Sequence, residues 1–397
     1  MRVIQKKPSG AWPCQALALL SLSLTAGSQA YEYTLDYGIT GRASYDDNTN
    51  MKVDNPSAVF GGRILLPVEL TVRGERLTSA LLASVAVRRF DDSSYNSDDS
   101  NIQANAQYGL ERGSVAVSAG QKRNSTQETQ FLEGGEEESS ASKVDTITAG
   151  GSGNYRLTEA DGIIAGVNYS AREYENPNLI NGRSFSGFAG ETHQWTERTT
   201  LQLRGTASRY ENDANLQVTS DSLGLQVGFS SVLTEQLDIS FLGGWTNFTT
   251  NYSSKTGAQT PSDSNGGGYV VNGVLNYRTQ RYTLLTRVSR RSTPSSNGYL
   301  LISNTLDMAY EYAISERTEF SLEMQGGDSN ALDERINNDR IFGQAEFSLS
   351  YRLSSFWAIG GSYRLRYQDK ESQDDAVYSN TVYFNVSYDP APLLWSR

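Results

Sequence analysis

In the stretch AVFGGRILLPVEL, Ala58 to Leu70, the chemistry alternates residue by residue. Ala58, Phe60, Gly62, Ile64, Leu66, Val68 and Leu70 fall on one side of an extended chain. Val59, Gly61, Arg63, Leu65, Pro67 and Glu69 fall on the other, so both charges share a face. A period of two belongs to a strand, because successive side chains point to opposite faces, whereas a helix repeats every 3.6 residues. The same pattern returns in FWAIGGSYRLRY, where Trp357, Ile359, Gly361, Tyr363, Leu365 and Tyr367 oppose Arg364 and Arg366. It returns again in TVYFNVSY, where Val382, Phe384, Val386 and Tyr388 oppose Thr381, Tyr383, Asn385 and Ser387. These runs exceed the usual globular strand of about five or six residues. A strand of roughly ten residues, tilted about 45°, crosses a bilayer.

Between the runs the chain keeps making one short polar turn. It appears around Glu75, Glu111, Glu159 (LTEADG), Glu197 (WTERT), Glu235 (LTEQL), Gln280 (YRTQRY), Glu316 (ISERTEF) and Ser355 (RLSSFW). The intervening connections are long, polar and acidic, such as DDSSYNSDDS and NSTQETQFLEGGEEESSAS. Short periplasmic turns alternating with long outer loops mark a transmembrane barrel. One repeat of about forty residues is then two membrane crossings and one outer loop.

The expected fold is all-β, a transmembrane antiparallel up-and-down β-barrel of eighteen strands, with sixteen as the alternative. The strands are expected to begin near Tyr31, Ala58, Leu77, Asn101, Ser114, Lys143, Gly162, Gly187, Thr199, Val218, Leu237, Gly268, Tyr282, Tyr299, Thr318, Arg340, Phe356 and Tyr378. Two aromatic belts at headgroup level are expected. Tyr155, Trp195, Tyr277, Tyr312, Tyr351 and Trp357 would form the inner belt, and Tyr45, Phe90, Tyr174, Tyr210, Phe248 and Tyr367 the outer one.

Residues 1–30 read as a signal peptide. Arg2, Lys6 and Lys7 are followed by the apolar CQALALLSLSL and the small residues of SQA. Residues 31–388 are the expected outer-membrane barrel, and 389–397 (DPAPLLWSR) a short C-terminal tail that either follows a sufficient assembly signal at Tyr388 or docks a partner. No plug precedes the first strand. The single cysteine, Cys14, lies in the signal segment, so the barrel has no thiol chemistry. The chain carries a formal charge of −11, and loss of the signal makes it more negative, which argues against nucleic-acid binding. Mean hydropathy is −0.50, and no apolar run after the signal is long enough for a spanning helix. With His193 the only histidine, catalysis needing several imidazoles and His-rich metal sites are excluded. No catalytic residue, metal or cofactor is expected.

If the polar faces point inward, Arg42, Arg63, Arg88, Arg364 and Arg366 form one contiguous basic wall, because closure sets the last strand beside the first. Arg204 and Arg287 add positive charge elsewhere. Asp307, Glu311, Glu319, Glu323 and Glu346 are expected to form an acidic wall opposite. Facing walls of opposite sign would steer anionic or dipolar solutes. The acidic loop Asn124 to Ser142 reads as solvated surface, with infolding as a constriction the alternative.

The opening YDDNTN (Tyr45 to Asn50), the turns YRLTE and YAISE, and the strand ends SRYEND and AREYEN resemble the β-barrel porin-2 family across nearly the whole mature chain. The resemblance implies an outer-membrane channel for export of an exopolysaccharide or capsular polysaccharide, working with a periplasmic polysaccharide-export protein. It supplies no binding residues. The alternative is a general or substrate-specific diffusion porin for small polar or anionic solutes. A structural or adhesive barrel is a third reading. The expected partners are outer-membrane lipid and lipopolysaccharide, the barrel-assembly machinery and the transported polysaccharide.

Overall fold

The computed structural model describes residues 31–126, 142–256, 260–332, 339–371 and 375–396. The signal segment and residues 127–141 of the acidic loop, where its infolding would be judged, lie outside the described residues.

The alternating runs become eighteen antiparallel strands. β1 comprises Glu32–Tyr37 and Ile39–Asp46. β2 is Val59–Arg73, β3 Leu77–Phe90, β4 Ser97–Leu110, β5 Gly113–Ser125 and β6 Lys143–Arg156. β7 is Asp161–Tyr174, β8 Gly182–Thr196, β9 Thr199–Asn212, β10 Leu216–Thr234, β11 Leu237–Ser254 and β12 Ser264–Arg278. β13 is Tyr282–Pro294, β14 Leu300–Ala313, β15 Thr318–Ala331, β16 Arg340–Arg352 and β17 Trp357–Lys370. β18 comprises Val377–Tyr388 and Leu393–Ser396. Each strand pairs with its neighbours in sequence, and β18 closes on β1 from Thr381↔Asp46 to Tyr388↔Ile39. Closure leaves no open sheet edge, whose bare N–H and C=O groups would each cost several kcal/mol in lipid.

The seam has a local irregularity with a clear cause. Pro67 of β2 lies opposite Gly38 and has no N–H to give, so the ladder of β1 breaks there; Gly38 N donates to Pro67 O at 3.2 Å. On the other side, β18 carries one extra residue between Tyr388↔Ile39 and Leu393↔Leu35. Pro390 and Pro392 sit in this bulge, where a missing donor is tolerated. A Cβ at Gly38 would meet Asp389 Oδ1 at 2.6 Å, so the Asp389 side chain would have to move aside. Beyond the bulge, Leu393–Ser396 pair with Glu32–Leu35, and Trp395 stacks on Tyr33 at 5.3 Å. The segment set apart as a tail therefore completes the closing strand. An alternating pattern interrupted by two prolines looks finished in sequence, but the bulge resumes it.

Four of the repeated turns are held by a hydroxyl one residue before Glu159, Gln280, Glu316 or Ser355. Thr158, Thr279, Ser315 and Ser354 each accept the N–H three residues on, at 2.9, 3.1, 3.0 and 3.1 Å respectively. Such side-chain turns compete with a continuing strand and reverse the chain. The glutamates themselves point into solvent.

Pairing carries one parity around the whole barrel. Phe60, Tyr45, Val87 and Leu66 share the outer surface with Val382, Phe347, Met324, Leu306, Leu225 and Val167. Leu223 is 70% exposed and Trp195 68%, an arrangement that is stable only against lipid. The inner aromatic belt forms on this surface, with Trp195, Tyr155, Tyr351 and Trp357 all exposed. The outer belt differs from expectation. Tyr45 and Tyr367 face outward, but Phe90, Tyr174, Tyr210 and Phe248 face the lumen. Phe60, Phe185, Trp245, Tyr269 and Tyr378 occupy the outer-surface positions instead. Aromatic content near a strand end sets the level; only the register sets the side.

The inward aromatics meet loops that fold into the outer mouth. Met51, with φ 45°, packs on Phe342 and Val377. From the far side, the loop 295–299 reaches two other connections: Ile180 N donates to Ser296 O at 2.8 Å, and Asn212 Nδ2 to Gly298 O at 2.7 Å.

Candidate functional site: the arginine-lined lumen

Arg42, Arg63 and Arg88 stand side by side across β1, β2 and β3. Residues directly opposite on adjacent strands have Cβ atoms about 5 Å apart, so like charges there repel. β17 adds Arg364 and Arg366 beyond β18. All five line one cavity of about 160 Å³ in the outer half of the lumen, with Asp46, Tyr95, Gln344, Thr381 and Tyr383.

Carboxylates balance part of this charge. Arg364 holds Glu346 through Nε at 2.8 Å and Nη2 at 2.6 Å. Arg366 Nη2 donates to Asp46 Oδ2 at 2.8 Å, and Ser379 and Thr381 hydroxyls donate to the same carboxylate. Arg88 Nε lies 3.0 Å from Asp99 Oδ2. Arg42 is different. Its Nε donates to the neutral Asn385 Oδ1 at 2.7 Å, and its guanidinium lies 4.6 Å from the Tyr383 ring. Arg364 lies 5.0 Å from the same ring. A neutral amide and a ring face hold a guanidinium in place without cancelling its charge. Among the described residues, these five cations stand against Asp46, Asp99 and Glu346.

Arg204 lies on a different wall. Its Nε and Nη2 both donate to Gln226 Oε1, at 2.9 and 2.7 Å, and it stacks on Phe188 at 4.9 Å. Arg287 stands opposite Asp307 in the β13–β14 register, but no ion pair joins them. Glu311, Glu319, Glu323 and Glu346 share the lumen face with Asp307. Their placement corrects the facing-walls picture. The acidic strip on β14–β16 abuts the basic strands, and Arg364 touches Glu346 across the β16–β17 pair. Glu311 and Glu319 sit beside the inner turn, whereas Arg42, Arg63 and Arg88 sit near the outer ends of their strands. Charge is thus separated along the pore as well as around it.

His193 lies on the outer surface beside an inner turn, with Nδ1 2.8 Å from Asp161 Oδ1. Thr158 Oγ1 donates to the other oxygen of that carboxylate at 2.8 Å. The hydroxyl rests on the carboxylate rather than on the imidazole. Among the described residues no cluster of His, Cys, Asp or Glu has metal-binding geometry. On the outer loops, the Lys255 ammonium, 2.6 Å away, holds the Asp213 carboxyl below the usual carboxylate range.

The closed ladder and the outward apolar surface decide the class. This chain is an outer-membrane β-barrel. No family model matches the sequence, and no curated protein matches it. The resemblance to the β-barrel porin-2 family therefore rests on its turn and strand motifs alone, and its link to exopolysaccharide export gains no support. Among solved structures, the chain is similar to Pseudomonas aeruginosa OccK2 (OpdF) with a TM-score of 0.46 and 10% identity, covering 90% of this chain and 98% of that one. The same protein in complex with glucuronate gives 0.45 and 11%, over 90% and 98%. Pseudomonas aeruginosa OpdQ gives 0.44 and 12%, over 91% and 98%. Likeness at this level concerns barrel architecture and carries no residue correspondence.

Sequence parity found the arginines but not what holds them. Asn385 and Tyr383 were visible on the polar face of TVYFNVSY, yet their pairing with Arg42 and Arg364 depends on the register across the seam. Asp46 read as the start of a loop, Asp99 as part of one, and both end up inside strands as counter-charges.

Proposed function

We propose that this barrel is a diffusion channel for small anionic solutes. The carrying observation is the cavity that Arg42, Arg63, Arg88, Arg364 and Arg366 line together, in which Arg42 is held by the neutral Asn385 and Tyr383. A positive patch between low-dielectric walls concentrates anions and lowers the barrier to their entry. Infolding of Met51 and of the loop 295–299 narrows the mouth, which suits a small solute better than a polymer strand. Under this reading the chain works with outer-membrane lipid, lipopolysaccharide and the assembly machinery. A periplasmic polysaccharide-export partner belongs to the export reading.

The test is the zero-current potential of purified barrel in planar bilayers under a KCl gradient. The wild type is expected to prefer chloride, and Arg42→Gln to lose roughly a few-fold of that preference. A cation-preferring wild type would overturn the proposal. In a clean deletion strain, secreted polysaccharide is expected to stay at the wild-type level; its loss, restored by complementation, would return the export reading.

A further inference from the structure

A second cavity, of about 700 Å³, lies along β3–β13 and shares no lining residue with the arginine cavity. Not one carboxylate lines it. Its polar groups are hydroxyls and amides, among them Ser118, Asn168, Ser208, Ser222 and Asn272. These side chains both donate and accept hydrogen bonds, as a polyhydroxylated solute does. Its cations are Arg290, engaged by Tyr269 O at 3.1 Å and Asn304 Oδ1 at 2.9 Å, Arg291, and Arg204, which stands against Phe188. Gln226 Oε1 fixes Nε and Nη2 of Arg204, and its Nη1 has no hydrogen-bond partner among the described residues. Phe188 supports the guanidinium plane, and Phe188 in turn lies over Gly166, where a Cβ would meet its ring at 2.6 Å. Arg204 is thus held rigidly by neutral groups, beside open volume.

The geometry points to a second solute station at Arg204 that takes a polyhydroxylated carboxylate of the aldonate class. Its carboxylate is received by the guanidinium, which suits a planar anion. Its hydroxyls exchange bonds with the serine and asparagine side chains. This inference rests on the anion-channel reading and adds selectivity to it. Gln226 and Phe188 are positioning residues, because they act through Arg204.

The test is block of chloride current through the full mature barrel, with gluconate, acetate and sorbitol as probes. Gluconate is expected to half-block at a concentration roughly tenfold below that of acetate or of sorbitol, since the charge and the hydroxyls are both used. Arg204→Gln is expected to abolish that advantage. Arg204→Lys keeps the charge but not the fork on Gln226, and is expected to lose discrimination of gluconate from acetate. Phe188→Leu, which leaves the cation in place, is expected to weaken gluconate block and spare the acetate response. Each variant is first checked for a heat-modifiable gel shift. Equal block by gluconate and acetate in an anion-preferring wild type would overturn the station and leave the channel reading intact. A cation-preferring wild type would instead overturn the channel reading beneath it.

Discussion

Arg364 and Arg42 show how far one side chain's meaning depends on its partner. Both are arginines on the polar face of a strand, and both lie against Tyr383. Arg364 is committed to Glu346, which is only 9% exposed, while Arg42 keeps its full charge toward the lumen. Removing one member of such a pair leaves the other ionised with little water around it. Arg364→Ala is therefore expected to destabilise the barrel by about 2–4 kcal/mol, read from urea unfolding in lipid vesicles. Arg364→Ala combined with Glu346→Gln should recover most of that loss, because no uncompensated charge remains. An additive double variant would mean that the pair is screened by lumen water and contributes little.

At the scale of an element, the loop 295–299 behaves as a strap across part of the outer mouth. Gly298 has φ +83°, a conformation that residues with a Cβ adopt only with strain. A Cβ there would also stand 2.8 Å from both Asn212 Nδ2 and Ile180 Cγ2. Gly298→Val is expected to detach the strap and raise single-channel conductance, with assembly unaffected because no strand pairing is touched. Unchanged conductance would show that the strap does not bound the narrowest section. The contact of Gly298 with Asn212, across four intervening strands, was not legible in the sequence. Local turn chemistry is written in adjacent residues; what a loop rests on is set by how the barrel curves.

For the whole molecule, closure is the controlling event. The terminal strand Leu393–Ser396 covers the inner half of β1, and without it Glu32–Leu35 would present an unpaired edge on that side. Truncation after Tyr388 is expected to reduce the folded, heat-modifiable fraction in membranes, since unpaired backbone in lipid costs several kcal/mol per group. Normal assembly of the truncated chain would mean that the pairing of Thr381–Tyr388 alone secures the seam. Much of the architecture was readable beforehand. The observed strands begin within five residues of their expected starts, the widest difference being Gly187 against Gly182. The lumen parity of Arg42, Arg63, Arg88, Arg204, Arg287, Arg364 and Arg366 follows from the same alternation.

The sequence by itself determined the period, and through it the strands, the turns and which side chains share a face. These are local properties: a two-residue repeat fixes sidedness, and a hydroxyl three residues before an N–H fixes a reversal. Only the tertiary structure decided which strands are neighbours across the seam, which charges meet and which aromatics enter the lumen. It turned two facing walls into adjoining strips, gave Arg364 a carboxylate and gave Arg42 an amide. The Arg42–Asn385 pairing joins residues 343 positions apart, whereas Arg364 and Glu346 are 18 apart on neighbouring strands. The first exists because lipid tolerates no open edge, so the barrel must close, and both depend on the register that sets each charge beside its partner.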